Sequence, residues 1–162
     1  MNVIVCVDND MGMLFNHRRQ SRDKNVVDII CNLTENTELW ISNFSKDLFK
    51  EDYFAEGNNQ IIIDDDFLQH AAWDDYCFVE DRQLQEYKDQ INKIYIFRWN
   101  TDYPADFKLD LDMKNFHLEK TEDFKGNSHE KITLEVHIKQ KAKAENSKQT
   151  TKAKIRKQEI RR

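Results

Sequence analysis

The sequence predicts an α/β fold: a mixed β-sheet flanked by helices and closing on a C-terminal antiparallel hairpin. Three observations predict it. Short apolar runs rich in β-branched and aromatic residues recur along the chain, as in MNVIVCV, YCFV and IYIFRW. Between them lie stretches of helical periodicity, the clearest holding Val26, Val27, Ile29, Ile30 and Leu33. Near the end, FHLEKTEDF and KITLEVHIK flank a turn-forming segment, Lys125-Gly126-Asn127-Ser128-His129-Glu130.

Each element follows in order. Met1–Val7 reads as a buried first strand, since it is apolar but has no basic flank of the kind a secretory leader carries. Asp8–Gln20 reads as a loop around Gly12. Ser21 reads as the N-cap of a helix running to Leu33, with Asp23 in its first turn. Asn32–Thr37 is a turn. Glu38–Phe44 is a second strand, and Ser45–Lys50 caps a short helix. Glu51–Gln60 is polar and reads as a loop. Ile61–Ile63 is a strand, and Phe67–Ala72 is a helix opened by Asp64–Asp66. Tyr76–Val79 is a strand, Arg82–Asn92 a helix and Ile94–Trp99 a strand. Asn100–Lys108, which holds the one proline, Pro104, is a loop. Phe116–Phe124 and Lys131–Ile138 are the arms of the hairpin. Alternation of strands with helices implies a largely parallel sheet, and the hairpin adds antiparallel strands at an edge.

A chain of 162 residues, 39% hydrophobic, can bury a core as one domain, 1–138. Cys6, Cys31 and Cys77 each sit in an apolar run, which suits reduced core thiols and a cytoplasmic setting. Their spacing excludes CxxC zinc ligation. No apolar run approaches the ~20 residues of a membrane span. Charge is divided unevenly. Residues 139–162 carry ten Lys/Arg against two Glu, while the whole chain has a net charge of −5. This tail reads either as an electrostatic tether, to nucleic acid such as RNA, to ribosomes or to the acidic body, or as a solvated extension.

Several chemistries find no motif. The five histidines lack the HxHxDH-type spacing of a zinc-dependent nuclease. There is no GxxxxGK[ST] and no GxSxG. Asp64-Asp65-Asp66 reads as a charged helix start, because three consecutive residues do not converge on one cation.

Taken together, MNVIVCVDNDMGM with Gly12, the helix Ser21–Leu33, Leu39-Trp40-Ile41-Ser42-Asn43-Phe44-Ser45, Cys77-Phe78-Val79-Glu80-Asp81-Arg82 and the hairpin Phe116–Ile138 resemble the dihydrofolate reductase family from end to end of residues 1–138. The resemblance implies that the loop after the first strand covers a pocket lined by the Ser21–Leu33 helix. It also implies a carboxylate near that helix's start that binds the pterin and helps protonate it. Asp23 and Asp28 both lie near the place, and Asp23 fits better by distance from Gly12. The other reading of Asp23 is complementing the helix N-terminus.

The chain departs from the family at the cofactor site. Glu80 and Asp81 stand at the family's double glycine, where the backbone approaches the NADPH phosphates. Two carboxylates there repel a pyrophosphate by roughly 1 kcal/mol or more each. The glycine–arginine turn has become Ser42 and Asn43, so Ser42, Asn43 and Ser45 form a degenerate cofactor-binding turn. The segment between Lys50 and Gln60 is too short and polar for the family's next strand. These losses disfavour NADPH bound as the family binds it.

His17, Arg18, Arg19 and Arg22 gather at the expected pocket mouth. Arginine forks suit a phosphate or carboxylate, so an anionic small molecule is the expected ligand. The alternative is that these arginines pair with acidic surface such as Asp64–Asp66. Arg98-Trp99-Asn100 follows a strand on the loop side of the sheet, where pockets form. His129 and Glu130 either do acid–base work or are surface turn residues. The expected function is thus a dihydrofolate reductase-like protein that is not a working reductase and that binds a small anionic, phosphorylated or nucleotide-like ligand. The alternatives are an NADPH-dependent pterin, folate or flavin-type reductase using Asp23, and a nucleic-acid-associated protein using the basic tail. Oligomeric state is left open by the sequence.

Overall fold

The structure is a computed structural model that describes residues 1–49 and 60–140. The expected loop 51–60 (its last residue apart) and the expected basic tail, from residue 141 onwards, lie outside the described residues.

The strands are β1 (Asn2–Val7), β2 (Gly12–Phe15), β3 (Arg18–Arg19), β4 (Glu38–Ile41), β5 (Gln60–Ile63), β6 (Tyr76–Phe78), β7 (Lys93–Arg98), β8 (Phe107–Lys108), β9 (Phe116–Phe124) and β10 (Ile132–Lys139). Among the described residues the α-helices are α1 (Lys24–Leu33) and α2 (Phe67–His70). Seven strands form one mixed sheet in the order β5-β4-β6-β1-β7-β10-β9. The five strands from β5 to β7 run parallel. β10 then pairs antiparallel with β7, and β9 with β10. A second sheet of three short strands, β3-β2-β8, is also antiparallel.

Alternation along β1 divides the core. Val3, Val5 and Val7 face one side with Cys77, Ile94 and Ile96. Ile4 faces the other with Phe78, Tyr95 and Phe97, under the apolar stripe Val26, Val27 and Ile30 of α1. Fully burying each such side chain stabilises the fold by about 1.5–3 kcal/mol.

The helix begins later than its serine suggests. Asp23, not Ser21, is the N-cap, and its Oδ1 accepts from the backbone N–H of Asn25 at 2.9 Å and of Val26 at 3.2 Å. The expected helix Arg82–Asn92 is only a 3-10 helix, Gln85–Gln90. Its bonds run three residues back, Tyr87 N–H to Leu84 and Ile91 N–H to Lys88. Asp110 takes the preceding N–H groups of Leu84 and Gln85. The expected helix after Ser45 is likewise a 3-10 helix, Asn43–Leu48, capped by Ser42 through no side-chain bond. The expected loop Asp8–Gln20 contains β2 and β3. Asn16 and His17 both take positive φ (51° and 60°) as the two-residue turn between them. The expected loop Asn100–Lys108 ends in β8, which β2 pairs. Among the described residues no helix is long and apolar enough to cross a membrane.

Candidate functional site

The parallel strands β1, β4, β6 and β7 end on one side of the sheet, the side on which α/β sheets carry ligands. There Cys6, Phe78, Glu80 and Trp99 meet α1 and the β2–β3 hairpin around a cavity of about 20 Å3. That is room for one water and no more.

Arg19 and Glu80 close it. On β3, Arg18 points out to solvent and Arg19 turns inward, as strand alternation requires. The Arg19 guanidinium donates Nε to Glu80 Oε2 at 2.9 Å and Nη2 to Glu80 Oε1 at 3.0 Å. It also donates to the Phe44 carbonyl at 3.1 Å, pairs with Asp47 at 3.2 Å and lies over the Phe44 ring. Burial works against the Arg19 charge, but Glu80 and then Asp47 outweigh it and raise its pKa. Ser45, fully buried, donates its hydroxyl to Glu80 Oε1 at 2.7 Å. Next to it, Ser42 donates to Asp81 at 3.2 Å, and Arg82 pairs with Asp81 at 2.7 Å. Asn43 donates its backbone N–H and side-chain amide to Asp65 at 2.9 and 3.0 Å. The two carboxylates and the Ser42–Ser45 turn are therefore each other's partners.

The alternative reading, that the arginines pair with acidic side chains, holds for Arg19 and Arg22, but their partners are not Asp64–Asp66. Asp47 takes both Arg19 and Arg22, and Glu80 takes Arg19. Asp64 instead bonds His70, and Asp65 holds Asn43 and Arg82. The side chain of Asp66 caps nothing, although it precedes α2. Among the described residues His17 and Arg18 have no ion-pair partner.

Asp23 borders the cavity, whereas Asp28 lies one turn on, paired with Lys24 at 3.0 Å. Besides capping α1, the Asp23 carboxylate accepts the backbone N–H and the hydroxyl of Ser128, both at 2.7 Å. Burial alone would raise its pKa. The hydroxyl and N–H of Ser128 and the N–H groups of Val26 and Asn25 outweigh burial and hold it below the ordinary carboxylate value. A carboxylate so held is a poor proton donor at neutral pH, and its geometry is that of a cap and a clasp. The Cys6 thiol lies beside it. Burial first, then the charges of Glu80 and Asp23, push its pKa well up, so it is a neutral thiol rather than a nucleophile.

His129 does not pair with Glu130, which reaches Lys125 at 3.6 Å instead. Its Nδ1 meets the Ser128 hydroxyl at 2.6 Å and its Nε2 meets the Tyr103 hydroxyl at 2.7 Å. With Ser128 donating to Asp23, the consistent chain runs from Tyr103 O–H to Nε2, then from Nδ1–H to Ser128 and on to Asp23. The imidazole stacks on Trp99, centroids 5.0 Å apart. Arg98 is taken by Glu135 at 2.9 Å, and Asn100, at φ 59°, donates to the Lys131 carbonyl and Thr133 hydroxyl. Arg98 and Asn100 thus brace the sheet end and do not reach the Arg19 cluster.

The sequence reading missed Asp8, Gln20, Asp47, Tyr103 and Ser128. Asp8 is buried and accepts from the Gly12 N–H at 2.7 Å, the Asp10 N–H at 2.9 Å and Gln20 Nε2 at 3.0 Å. The Asp-Asn-Asp-Met-Gly run signals such an Asx turn. Gln20 Oε1 is the one buried side-chain polar atom among the described residues without a hydrogen-bond partner, and Gln20 lines the small cavity. Among the described residues no group of three or more His, Cys, Asp or Glu is placed to hold a metal ion.

No family model matches the chain, and no curated protein matches it either.

Proposed function

We propose that the chain is a divergent dihydrofolate reductase-like protein that has exchanged NADPH-dependent reduction for the binding of a small anionic ligand at the β2–β3 hairpin. The observation that carries this reading is the Arg19–Glu80–Ser45 network. At the position resembling the family's double glycine stands a carboxylate whose partners are two side chains of the chain itself. A parallel sheet closed by an antiparallel C-terminal hairpin supports the fold half of the proposal. A cavity of about 20 Å3 cannot admit a pterin, and opening it separates a buried ion pair.

The anion binds outside that seal. Arg18 is exposed on the hairpin, and among the described residues Arg22 is paired only with Asp47, whose side chain is 57% exposed. A phosphate exchanges readily with so exposed a carboxylate and accepts both guanidinium forks.

Thermal melting of the full chain with NADPH, NADP, dihydrofolate, ATP and inorganic pyrophosphate tests the reading. A ligand at a hundred times its dissociation constant stabilises the fold by about 2.7 kcal/mol. The expected result is stabilisation by phosphate-bearing ligands, abolished in Arg18→Ala/Arg22→Ala, with none from dihydrofolate. Stabilisation by dihydrofolate together with NADPH oxidation would establish a working reductase and sink the proposal.

A further inference from the structure

A wider opening than the Arg19–Glu80 cavity lies elsewhere. A cleft of about 360 Å3 runs between α2, the 81–87 segment and β8. That volume is in the range of ligand pockets. Its walls are apolar or aromatic at Leu68, Tyr87 and Phe107, and its rim is acidic at Asp65, Asp66, Asp81 and Glu86. Among the described residues the single guanidinium there, Arg82, is already engaged by Asp81 and Asp65. Among the described residues Asp66 and Glu86 have no ion-pair partner. Carboxylates over aromatic walls suit lysine and arginine side chains, whose charged heads pair with the rim while their stems and guanidinium planes lie on the rings.

The chain carries such side chains where they can reach. Its described part ends beside the cleft's own wall. Lys139 donates its backbone N–H to Asn92 and its ammonium to the Lys88 carbonyl at 2.8 Å, and Gln140 donates to Asn115. Lys88 belongs to the same six-residue 3-10 helix as Glu86 and Tyr87, an element only about 12 Å long. From Gln140 another 22 residues follow, with nine Lys/Arg against two Glu. Extended, 22 residues span up to about 70 Å, several times that helix. We infer that this basic segment, 141–162, docks on the chain's own acidic cleft at Asp66, Glu86, Tyr87 and Phe107. Docking in cis benefits from the high effective concentration of a tethered partner. It also keeps the positive segment off polyanions.

Backbone amide NMR spectra of the full chain test this. Lys154→Gln/Arg156→Gln/Lys157→Gln is expected to move the amide peaks of Gln69, Gln83 and Tyr87 while leaving those of β1 and β7 in place. Raising NaCl to about 0.5 M is expected to move the same peaks in the same direction, because screening weakens the contact. Asp66→Asn/Glu86→Gln is expected to move the peaks of 141–162 in turn. Cleft peaks that ignore the tail substitutions, or tail peaks that ignore the cleft substitutions, overturn the proposal. Shifts that grow with protein concentration also overturn it, since they place a second copy's tail in the cleft.

Discussion

Arg19 and Glu80 lie 61 residues apart and form a two-pronged ion pair, with side chains only 12% and 9% exposed, across the ends of the parallel strands. The pair costs desolvation and returns it only through complete hydrogen bonding, which Ser45, Phe44 and Asp47 supply. Removing one partner strands the other. Glu80→Ala is expected to lower the unfolding free energy by about 3 kcal/mol, and Arg19→Met by a similar amount. In the double variant the two losses add to less than their sum, because each single change already exposes the unpaired charge. Urea unfolding of the four proteins measures this. Additive losses, or single losses below about 0.5 kcal/mol, show that the pair does not seal the cavity.

Asp23 joins two distant parts of the chain, capping α1 and holding the hairpin turn through Ser128. Its pKa is lowered in the folded state, so it binds its proton more weakly there than in the unfolded chain. Its contribution is therefore present above the unfolded carboxylate value of about 3.9 and is lost as pH falls through the lower folded value. Asp23→Asn is expected to cost about 1–2 kcal/mol at pH 7 and to flatten the loss of stability below about pH 4. Urea midpoints taken from pH 7 to pH 3 decide it. An unchanged acid limb in the variant removes Asp23 from the titration.

Most strands of the large sheet were legible because they are apolar runs long enough to stand out, as in Asn2–Val7 and Lys93–Arg98, whereas the polar β9 was legible through the turn-forming segment it shares with β10. β2, β3 and β8 were not. Their pairing depends on Leu14 finding Phe107, more than 90 residues on, and two-residue strands carry no period. The 3-10 helix Gln85–Gln90 looked helical because Leu84, Tyr87 and Ile91 are spaced as on a helix, and nothing local announces that Asp110 takes its first N–H groups. At the site, the gathering of Arg19, Arg22 and Asp23 was visible from sequence. Their partners were not, since Glu80, Asp47 and Ser128 come from other elements and a charge does not reveal which opposite charge it meets.

His70 and Asp64 share a hydrogen bond of 2.7 Å on the surface. The Asp64 carboxylate raises the His70 pKa above 6.5, first through that bond and then through its charge. The linkage sign is opposite to that of Asp23. Any stabilisation from the pair is present below the unfolded histidine value and is lost as pH rises through the folded one. The pair lies at the surface, so the effect is read best from the titration itself. The His70 ring protons are expected to titrate above pH 6.5, and Asp64→Asn is expected to bring the midpoint down toward that value. A midpoint indifferent to the substitution breaks the assignment.

Gly126 makes the Asp23 clasp possible. A Cβ added there would lie 2.6 Å from Asp23 Oδ2, 2.4 Å from Ile132 Cδ1 and 3.0 Å from the His129 carbonyl. Its own N–H donates to that carbonyl at 3.0 Å, so the turn cannot swing away without breaking a bond. Ile132 is fully buried and Asp23 is held by four donors, leaving neither free to yield. Gly126→Ala is therefore expected to destabilise by about 1–3 kcal/mol, as overpacking does. In an Asp23→Ala background the added methyl meets a smaller neighbour, and the cost of Gly126→Ala is expected to fall by half or more. Chemical denaturation of the single and double variants measures the difference. Equal cost in both backgrounds places the clash on Ile132 alone.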